Sequence, residues 1–338
     1  MIDIREVISE NEESKLTQNE MPDWIEPMLA TLTHNPFSEK GWLYERKFDG
    51  ERCLAFKSGD DLQLMSRNKK DLKFRYPEIA DALSSMNVDS FIVDGEIVAF
   101  DGTVTSFSRL QKRMHVSSME EAMESDVEVY YYVFDIMYAD KYDLTDLPLR
   151  ERKKVLKRIL DFQEPIRYTI HQNENGLEYL QEACNKQWEG LIAKKSYSQY
   201  LGARSKKWLK FKCSKSQEFI IMGYTDPKGE RIGFGALIMG YYENDRLKYA
   251  GRVGTGYNDD FLKELSEKLK RIETDHSFLD DDIPGNGIHW VEPKFVGEVS
   301  FNEWTDDGRL RHPSFKGLRD DKDPKDVVNE NLRAKKGD

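Results

Sequence analysis

The sequence predicts an α+β chain of two domains, the second a small β-barrel of the OB type. Three observations carry this. The chain has 338 residues, more than one ordinary hydrophobic core holds. Near residues 214–218 mixed helix and strand text gives way to strand–turn–strand text. That second part holds one helical stretch among its strands, the pattern of a five-stranded barrel with an inserted helix.

Residues 1–20 are polar and acidic, lack the apolar core of a signal peptide, and are expected as a loose arm or a short amphipathic piece. Residues 22–32 are mildly apolar and lead into an aromatic-rich strand, 42–47. That strand breaks at Asp49-Gly50, a pair that favours a hairpin bend. Strands are expected at 52–57 and 62–66, joined at Ser58-Gly59-Asp60-Asp61. Ile79, Leu83 and Met86 recur at helical spacing, which predicts a helix over 76–86. Phe91-Ile92-Val93 reads as strand, Asp94-Gly95 is expected to bend it, and 96–100 continues it. A helix is expected over 107–114, and the apolar, aromatic run 127–138 reads as a buried strand. Early acids and late lysines favour a helix over 149–160, and another follows over 176–187. Residues 191–195 and 208–213 are strands. In the second part strands are expected at 219–225, 234–244 and 246–256, with a loop at 226–233. A helix over 259–272 sets Leu262, Leu265 and Leu269 on one face, and further strand is expected at 289–304.

The net charge of −11 argues against a polyanion partner when spread evenly. It is not spread evenly. Residues 190–217 hold eight basic residues and no acid, while acids gather at 10–13 and at Asp280-Asp281-Asp282. A basic track on an acidic body can hold a polyanion; a solvated basic face is the alternative. No run of about 18 apolar residues predicts a membrane span. The three cysteines, Cys53, Cys184 and Cys213, show no CxxC spacing. They argue against a zinc site and a disulfide frame, and fit a reducing cytoplasm. Gly251-Arg-Val-Gly-Thr-Gly256 lacks GxGxxG spacing and reads as turn glycines, and no GxxxxGK[ST] loop occurs.

What remains is a set of charged residues at strand ends. Lys47 stands two residues before Asp49 and five before Arg52, and is a candidate amine nucleophile. Glu96 follows Asp94-Gly95, and Glu189 opens Glu189-Gly-Leu-Ile-Ala-Lys194. In Trp208-Leu-Lys-Phe-Lys212 the period-two alternation puts Lys210 and Lys212 on one sheet face and Leu209 and Phe211 on the other. Neighbouring cations repel unless an anion lies between them. Several cations with a few carboxylates suit a nucleoside triphosphate with Mg2+. Singly, each residue also has a plain structural reading: Lys47 an exposed lysine, Glu96 a hairpin carboxylate, Phe134 core, Arg204 a basic-loop residue.

In order and form these stretches resemble the covalent nucleotidyltransferase superfamily of ATP-dependent DNA ligases, RNA ligases and mRNA capping enzymes. Lys47-Phe48-Asp49-Gly50 matches its motif I, KxDG, followed by Arg52. Ser66-Arg67-Asn68 matches motif Ia, Asp94-Gly95-Glu96 motif III and Phe134-Asp135 motif IIIa. The stretch from Glu189 to Lys194 resembles motif IV, that from Trp208 to Lys212 motif V, and Arg319-Asp-Asp-Lys322 motif VI. Trp208-Leu-Lys-Phe-Lys-Cys213 and Leu310-Arg-His-Pro-Ser-Phe-Lys-Gly-Leu-Arg319 are most similar to the ligase module of bacterial end-joining DNA ligases, here without attached polymerase or nuclease domains.

The resemblance implies a nucleotidyltransferase (adenylation) domain with antiparallel sheets over 1–215 and an OB domain over 216–338. It implies an ATP-dependent DNA ligase that acts in repair through a lysyl-AMP intermediate, with ATP and Mg2+ or Mn2+ as cofactors. Nicked or broken duplex DNA would be its partner, with a DNA end-binding protein as a candidate second one. A monomer in the bacterial cytoplasm, at the nucleoid, is expected. Lys47 would be the nucleophile, Glu45 would contact the base, Phe134 would stack on adenine and Glu96 would accept from the ribose. Lys210 and Lys212 would hold the α-phosphate, and Glu189 and Asp49 the divalent ion. Arg52, Arg67 and Arg204 would contact nucleotide or DNA phosphates. Arg319 and Lys322 would orient pyrophosphate, for which they are expected to be held away from Asp320, Asp321 and Asp323. With no separate clamp domain, encirclement of a nick would fall to the OB domain and the loop 101–118. The alternatives are an RNA ligase or RNA capping guanylyltransferase, which differ in nucleotide and acceptor, and a non-catalytic OB-type nucleic-acid-binding protein, which would form no covalent AMP.

Overall fold

The computed structural model describes residues 3–213, 215–227, 229, 231–281, 283, 287–301, 303–305 and 307–330. Ser214 at the expected boundary, Lys228 and Glu230 of the expected loop, and Asp282 of the acidic run lie outside the described residues. The chain divides into two compact units, Met1–Cys213 and Ser214–Asp338.

In the first unit the strands and α-helices run β1 (Thr17–Gln18), β2 (Leu29–Leu32), β3 (Trp42–Lys47), β4 (Glu51–Ser58), β5 (Asp61–Ser66), α1 (Pro77–Ser84), β6 (Ser90–Asp101), β7 (Val104–Thr105), α2 (Phe107–Met114), α3 (Met119–Met123), β8 (Val129–Ala139), β9 (Tyr142–Asp143), α4 (Leu149–Ile159), β10 (Ile166–Tyr168), β11 (His171–Asn173), α5 (Gly176–Asn185), β12 (Gly190–Lys195) and β13 (Arg204–Lys212). They build two sheets. The larger has the order β1-β9-β8-β6-β4-β5, with β7 on β6 and β10 on β8; the smaller has the order β11-β3-β12-β13-β2. Both are antiparallel except for one parallel pair each, β10 with β8 and β13 with β2.

Burial sets the layering. One face of the larger sheet packs Cys53, Ala55, Val93, Ile97, Tyr131 and Val133 against Ile79 and Leu83 of α1, Leu110 of α2, and Val155 and Leu156 of α4. Its opposite face carries Leu54, Phe56, Ile92 and Phe134, which meet Trp208 of the smaller sheet. The far side of the smaller sheet is closed by Tyr179 and Ala183 of α5 against Tyr44, Leu191 and Phe211. A cleft floored by two sheets is the result, with helices outside both.

The second unit holds β14 (Lys215–Thr225), β15 (Leu237–Glu243), β16 (Arg246–Val253), α6 (Asp259–Lys270), β17 (Glu273–Thr274), β18 (Ile288–Val291), β19 (Val296–Phe301), β20 (Glu303–Trp304), β21 (Leu310–Arg311) and β22 (Ser314–Leu318). β14 pairs with β15, β18 and β19, which explains its run of fully buried residues from Phe219 to Met222. The Asn258 side chain caps α6 by accepting from the Phe261 N–H at 2.8 Å. Leu262, Leu265 and Leu269 are buried, as the spacing predicts. The main sheet has seven strands rather than five, because the short β17 and β18 add to it.

Three local expectations are overturned, and one left open is decided. Of the two readings of the N-terminal stretch the amphipathic one fits: Ile4 and Ile8 are buried in the main core, and Ser9 donates from its backbone N–H and its hydroxyl to Glu151, both at 3.1 Å. Average polarity hid two well-placed isoleucines. Asp49-Gly50 is no hairpin turn, because β3 and β4 belong to different sheets. Asp94-Gly95 does not bend the chain; β6 runs through it unbroken, and the irregularity appears as register shifts against β8. Finally, Cys184 at the end of α5 and Cys213 after β13 form a disulfide across 29 residues, with a Cα separation of 5.2 Å. The helix end lies across the strand end, a meeting that no local cysteine spacing announces. Cys53 is free and buried.

Thiol titration of the denatured protein should therefore find one reactive thiol without reductant and three with it. Three thiols in both samples would reject the pairing.

Candidate active site

β3 places its residues alternately on the two faces of the smaller sheet. Tyr44 points to α5, so Glu45 and Lys47 share the cleft face. Strand register then sets two rows. Lys47 pairs with Gly190, which pairs with Lys212. Glu45 pairs with Ile192, which pairs with Lys210.

The first row carries the chemistry. Gly190 stands between the two lysines in register, packed tightly against the backbone of β13. It has φ +146°, and a Cβ there would lie 1.9 Å from the Phe211 carbonyl oxygen, so no side chain fits. Glu189, the residue before it, accepts a hydrogen bond from Lys47 Nζ through Oε2. Its other oxygen lies 4.0 Å from Lys212 Nζ. One carboxylate thus bridges two cations. An incoming phosphate would find both ammonium groups already gathered there.

In the second row Glu45 is fully buried, while Ile192 and Lys210 are half-buried. Glu45 is ion-paired with Lys153 of α4 at 2.5 Å and with Lys194 of β12 at 2.7 Å. Burial alone would raise its pKa, but the two lysines hold it below the ordinary carboxylate value. Burial pulls Lys194 down to about 8, and Lys153 adds to that while Glu45 opposes it. The Lys194 ammonium also lies 4.1 Å from the Phe134 ring centroid and 4.0 Å from that of Trp208. His171 stands opposite Glu45 on β11, and burial pushes its pKa down.

The larger sheet supplies the facing wall. Arg52 and Glu96 are register partners on β4 and β6. The Arg52 guanidinium grips Asp94 through two bonds of 2.5 Å, donates to the Met28 carbonyl at 3.1 Å, and stands 4.8 Å from the Phe134 centroid. Tyr200 adds a hydroxyl bond to Asp94 at 2.7 Å. Behind Phe134, Asp135 takes two bonds from the wholly buried Arg152, at 2.7 and 2.9 Å.

Lys47, Glu45, Glu189, Lys210, Lys212, Arg52, Glu96 and Phe134 therefore converge on one cleft. The rest lie elsewhere. Asp49 sits on the crossover, its backbone N–H 3.4 Å from the Thr105 hydroxyl. Arg67 follows β5 at a turn. Arg204 is exposed and donates to the Ala30 carbonyl at 2.7 Å. Arg319 and Lys322 belong to the second unit. The expectation that they stand clear of acids fails. Arg319 is buried, takes two bonds of 2.9 Å to Asp321 and one of 3.1 Å to Glu298, and Lys322 lies 3.4 Å from Glu218. The acids of that stretch neutralise a buried arginine. Lys153, Arg152 and Tyr200 were not singled out from the sequence. Each comes from an element remote from the motifs, and only the packing of α4 and of the chain before β13 brings them in.

Among the described residues no group of three or more His, Cys, Asp or Glu converges to hold a metal ion. A divalent ion at Glu189 would have to share that carboxylate with nucleotide phosphates, because Glu189 already bridges Lys47 and Lys212.

The low Lys194 value has a consequence for stability. An unfolded lysine keeps its proton to about 10.5. Between about 8 and 10.5 the unfolded chain binds the extra proton, so unfolding free energy rises with pH there. Denaturant titrations across that window should show a rise on the order of 3 kcal/mol that Lys194→Met flattens. Parallel curves for the two proteins would show that Lys194 is not depressed.

Comparisons with known proteins bear on this cleft. A family described as the ATP dependent DNA ligase domain matches residues 27–212, and one described as the ATP dependent DNA ligase C terminal region matches 230–322. The multifunctional non-homologous end joining protein LigD of Pseudomonas aeruginosa is 35% identical over 320 residues, covering 92% of this chain and 37% of that protein. A DNA ligase of Saccharolobus solfataricus is 30% identical over 350 residues, covering 90% of this chain and 57% of that one. The chain thus spans about two fifths to three fifths of the length of these relatives. The solved structure of a mycobacterial DNA ligase D complexed with ATP and MES superposes with a TM-score of 0.65 at 33% identity, over 90% of this chain and 98% of that one. With the first match alone spanning more than half of its residues, this chain belongs to the ATP-dependent DNA ligase family.

Proposed function

We propose that the chain is a DNA ligase that uses ATP to seal nicked or broken duplex DNA through an adenylate carried on Lys47. One observation carries the reading: Lys47 and Lys212 face each other across side-chain-free Gly190, with the Glu189 carboxylate between them. That is a nucleophile and a phosphate clamp on one floor. The Lys47 amine, its proton lost, attacks the α-phosphorus of ATP. An N–P bond forms, the bond to the β-phosphate oxygen breaks, and pyrophosphate leaves. An oxygen of a DNA 5′-phosphate then displaces the lysine and takes the AMP. A 3′-hydroxyl attacks that 5′-phosphate, AMP departs, and the phosphodiester is made.

The remaining side chains divide the work. Lys210 and Lys212 neutralise the α-phosphate as charge shifts to the leaving group. Glu45, held ionised by Lys153 and Lys194, presents an acceptor to the exocyclic amine of adenine, and Phe134 offers a ring to its face. Glu96 accepts from the ribose. Glu189 would hold a divalent ion, Mg2+ or Mn2+, which would supply further positive charge. Arg67 and Arg204 serve as nucleotide or DNA-phosphate contacts in this reading, with residues 1–215 as the adenylation domain and residues 216–338 as the OB domain. Salt-bridged as it is, Arg319 serves the second domain by stability before it serves any phosphate. The end-joining names of the relatives support breaks as the substrate, with a DNA end-binding protein as a second partner and the bacterial nucleoid as the place of action.

Incubation with ATP should add one AMP to the intact mass of the wild type. Lys47→Ala should take none, and Lys210→Ala should fold normally and adenylate at least tenfold more slowly. GTP should not replace ATP, and nicked DNA should be sealed in preference to nicked RNA. An adduct on Lys47→Ala would remove Lys47 from the reaction. Gly190→Ala should collide with the Phe211 carbonyl, push β12 from β13 and displace Glu189, and so abolish the adduct.

A further inference from the structure

Beyond the adenylate cleft, the same face of the larger sheet continues outward into a cavity of about 440 Å3. Its wall is made by Phe100 of β6, Tyr130 and Tyr132 of β8, Arg109 of α2 and Arg167 of β10, with the turn at Gly102-Thr103 and Glu128 at its rim. The rings are half-buried and already arranged as an aromatic lining. Phe100 meets Tyr130 edge-on at 5.7 Å and Tyr132 at 6.2 Å. The Arg167 guanidinium lies 3.8 Å over the Tyr130 ring, fixed by Glu164 at 2.8 Å and by the Tyr132 hydroxyl at 2.8 Å. Phe48, the residue after Lys47, stacks on Tyr132 at 4.2 Å. The cavity therefore begins one ring away from the residue that follows the nucleophile. None of the proposed adenylate contacts lines it.

The geometry points to a second subsite here, one that takes an unpaired nucleobase of a DNA end. This rests on the reading of the chain as a DNA ligase. Three features support it. The volume falls within the roughly 300–1,000 Å3 of small-ligand sites. Aromatic faces interleaved with arginine planes are what a base and its phosphate need, and stacking is indifferent to base identity. Within a duplex each base already stacks on its neighbours, so only an unpaired base offers a free face to these rings. Charge is balanced, with Arg167 paired to Glu164 and Arg109 set against Glu128, which Tyr130 engages through its hydroxyl at 3.0 Å, so the rings carry the binding. The subsite would hold a single-stranded overhang beside Lys47 while the ends are aligned.

The test uses the full chain, with and without prior ATP, and a duplex whose short 3′ overhang carries 2-aminopurine. Binding should quench the fluorescence and be roughly five- to hundredfold tighter than for a blunt duplex, the range for one stacked base. Tyr130→Ala and Phe100→Ala should lose both quenching and preference, and Tyr130→Phe should keep them. All three variants should still gain AMP on Lys47. Equal affinity for blunt and overhanging ends, quenching retained in Tyr130→Ala, or displacement of the overhang by excess ATP would each overturn the subsite. Absence of any AMP adduct in the wild type would instead sink the ligase reading, and the binding result would still be read separately.

Discussion

The short crossover Phe48-Asp49-Gly50 is the constraint on which the rest of the first unit depends. Lys47 ends a strand of one sheet and Glu51 begins a strand of the other. Two sheets joined this tightly at one point must face each other, and the joint lies at the bottom of the cleft between them. Gly50 makes the closeness possible, since a Cβ there would sit 2.1 Å from the Ile97 carbonyl oxygen. The lysine is thus placed where both walls contribute: lysines and a glutamate from the smaller sheet, arginine, glutamate and phenylalanine from the larger.

Such a cleft concentrates charge in a poorly solvated place, and burying charge without partners is expensive. The structure answers by pairing nearly every group twice over. Glu45 has two lysines, Asp94 an arginine and a tyrosine, Asp135 a buried arginine. These networks fix the orientation of the cleft residues before any ligand arrives. Preorganisation of that kind is where enzymes gain most of their electrostatic advantage. It also explains why an acidic chain presents a cationic floor: the acids inside are neutralised locally.

Much of this was legible in the residues. The helices at Pro77–Ser84 and Asp259–Lys270 declared themselves through spacing, and the shared face of Lys210 and Lys212 followed from strand alternation. What sequence could not give was contact between distant segments. Asp49-Gly50 carries a strong local turn signal, but whether a turn makes a hairpin or a sheet-to-sheet crossing depends on which strands accept pairing. Ile4 and Ile8 were masked by the acids around them. Lys153 looks like any lysine of an amphipathic helix, and only the approach of α4 to β3 makes it a partner of Glu45. In the motif ending the second unit, the acids read as a hindrance to Arg319 when they are its counter-ions.

The cysteine arrangement has a practical side. With Cys184 and Cys213 tied to each other and Cys53 wholly inside the core, the oxidised protein presents no native thiol to a bulky reagent. A single surface cysteine placed on either unit would then carry a spectroscopic probe uniquely, with no native residue replaced. Distances between two such probes, one per unit, could then be compared with and without ATP.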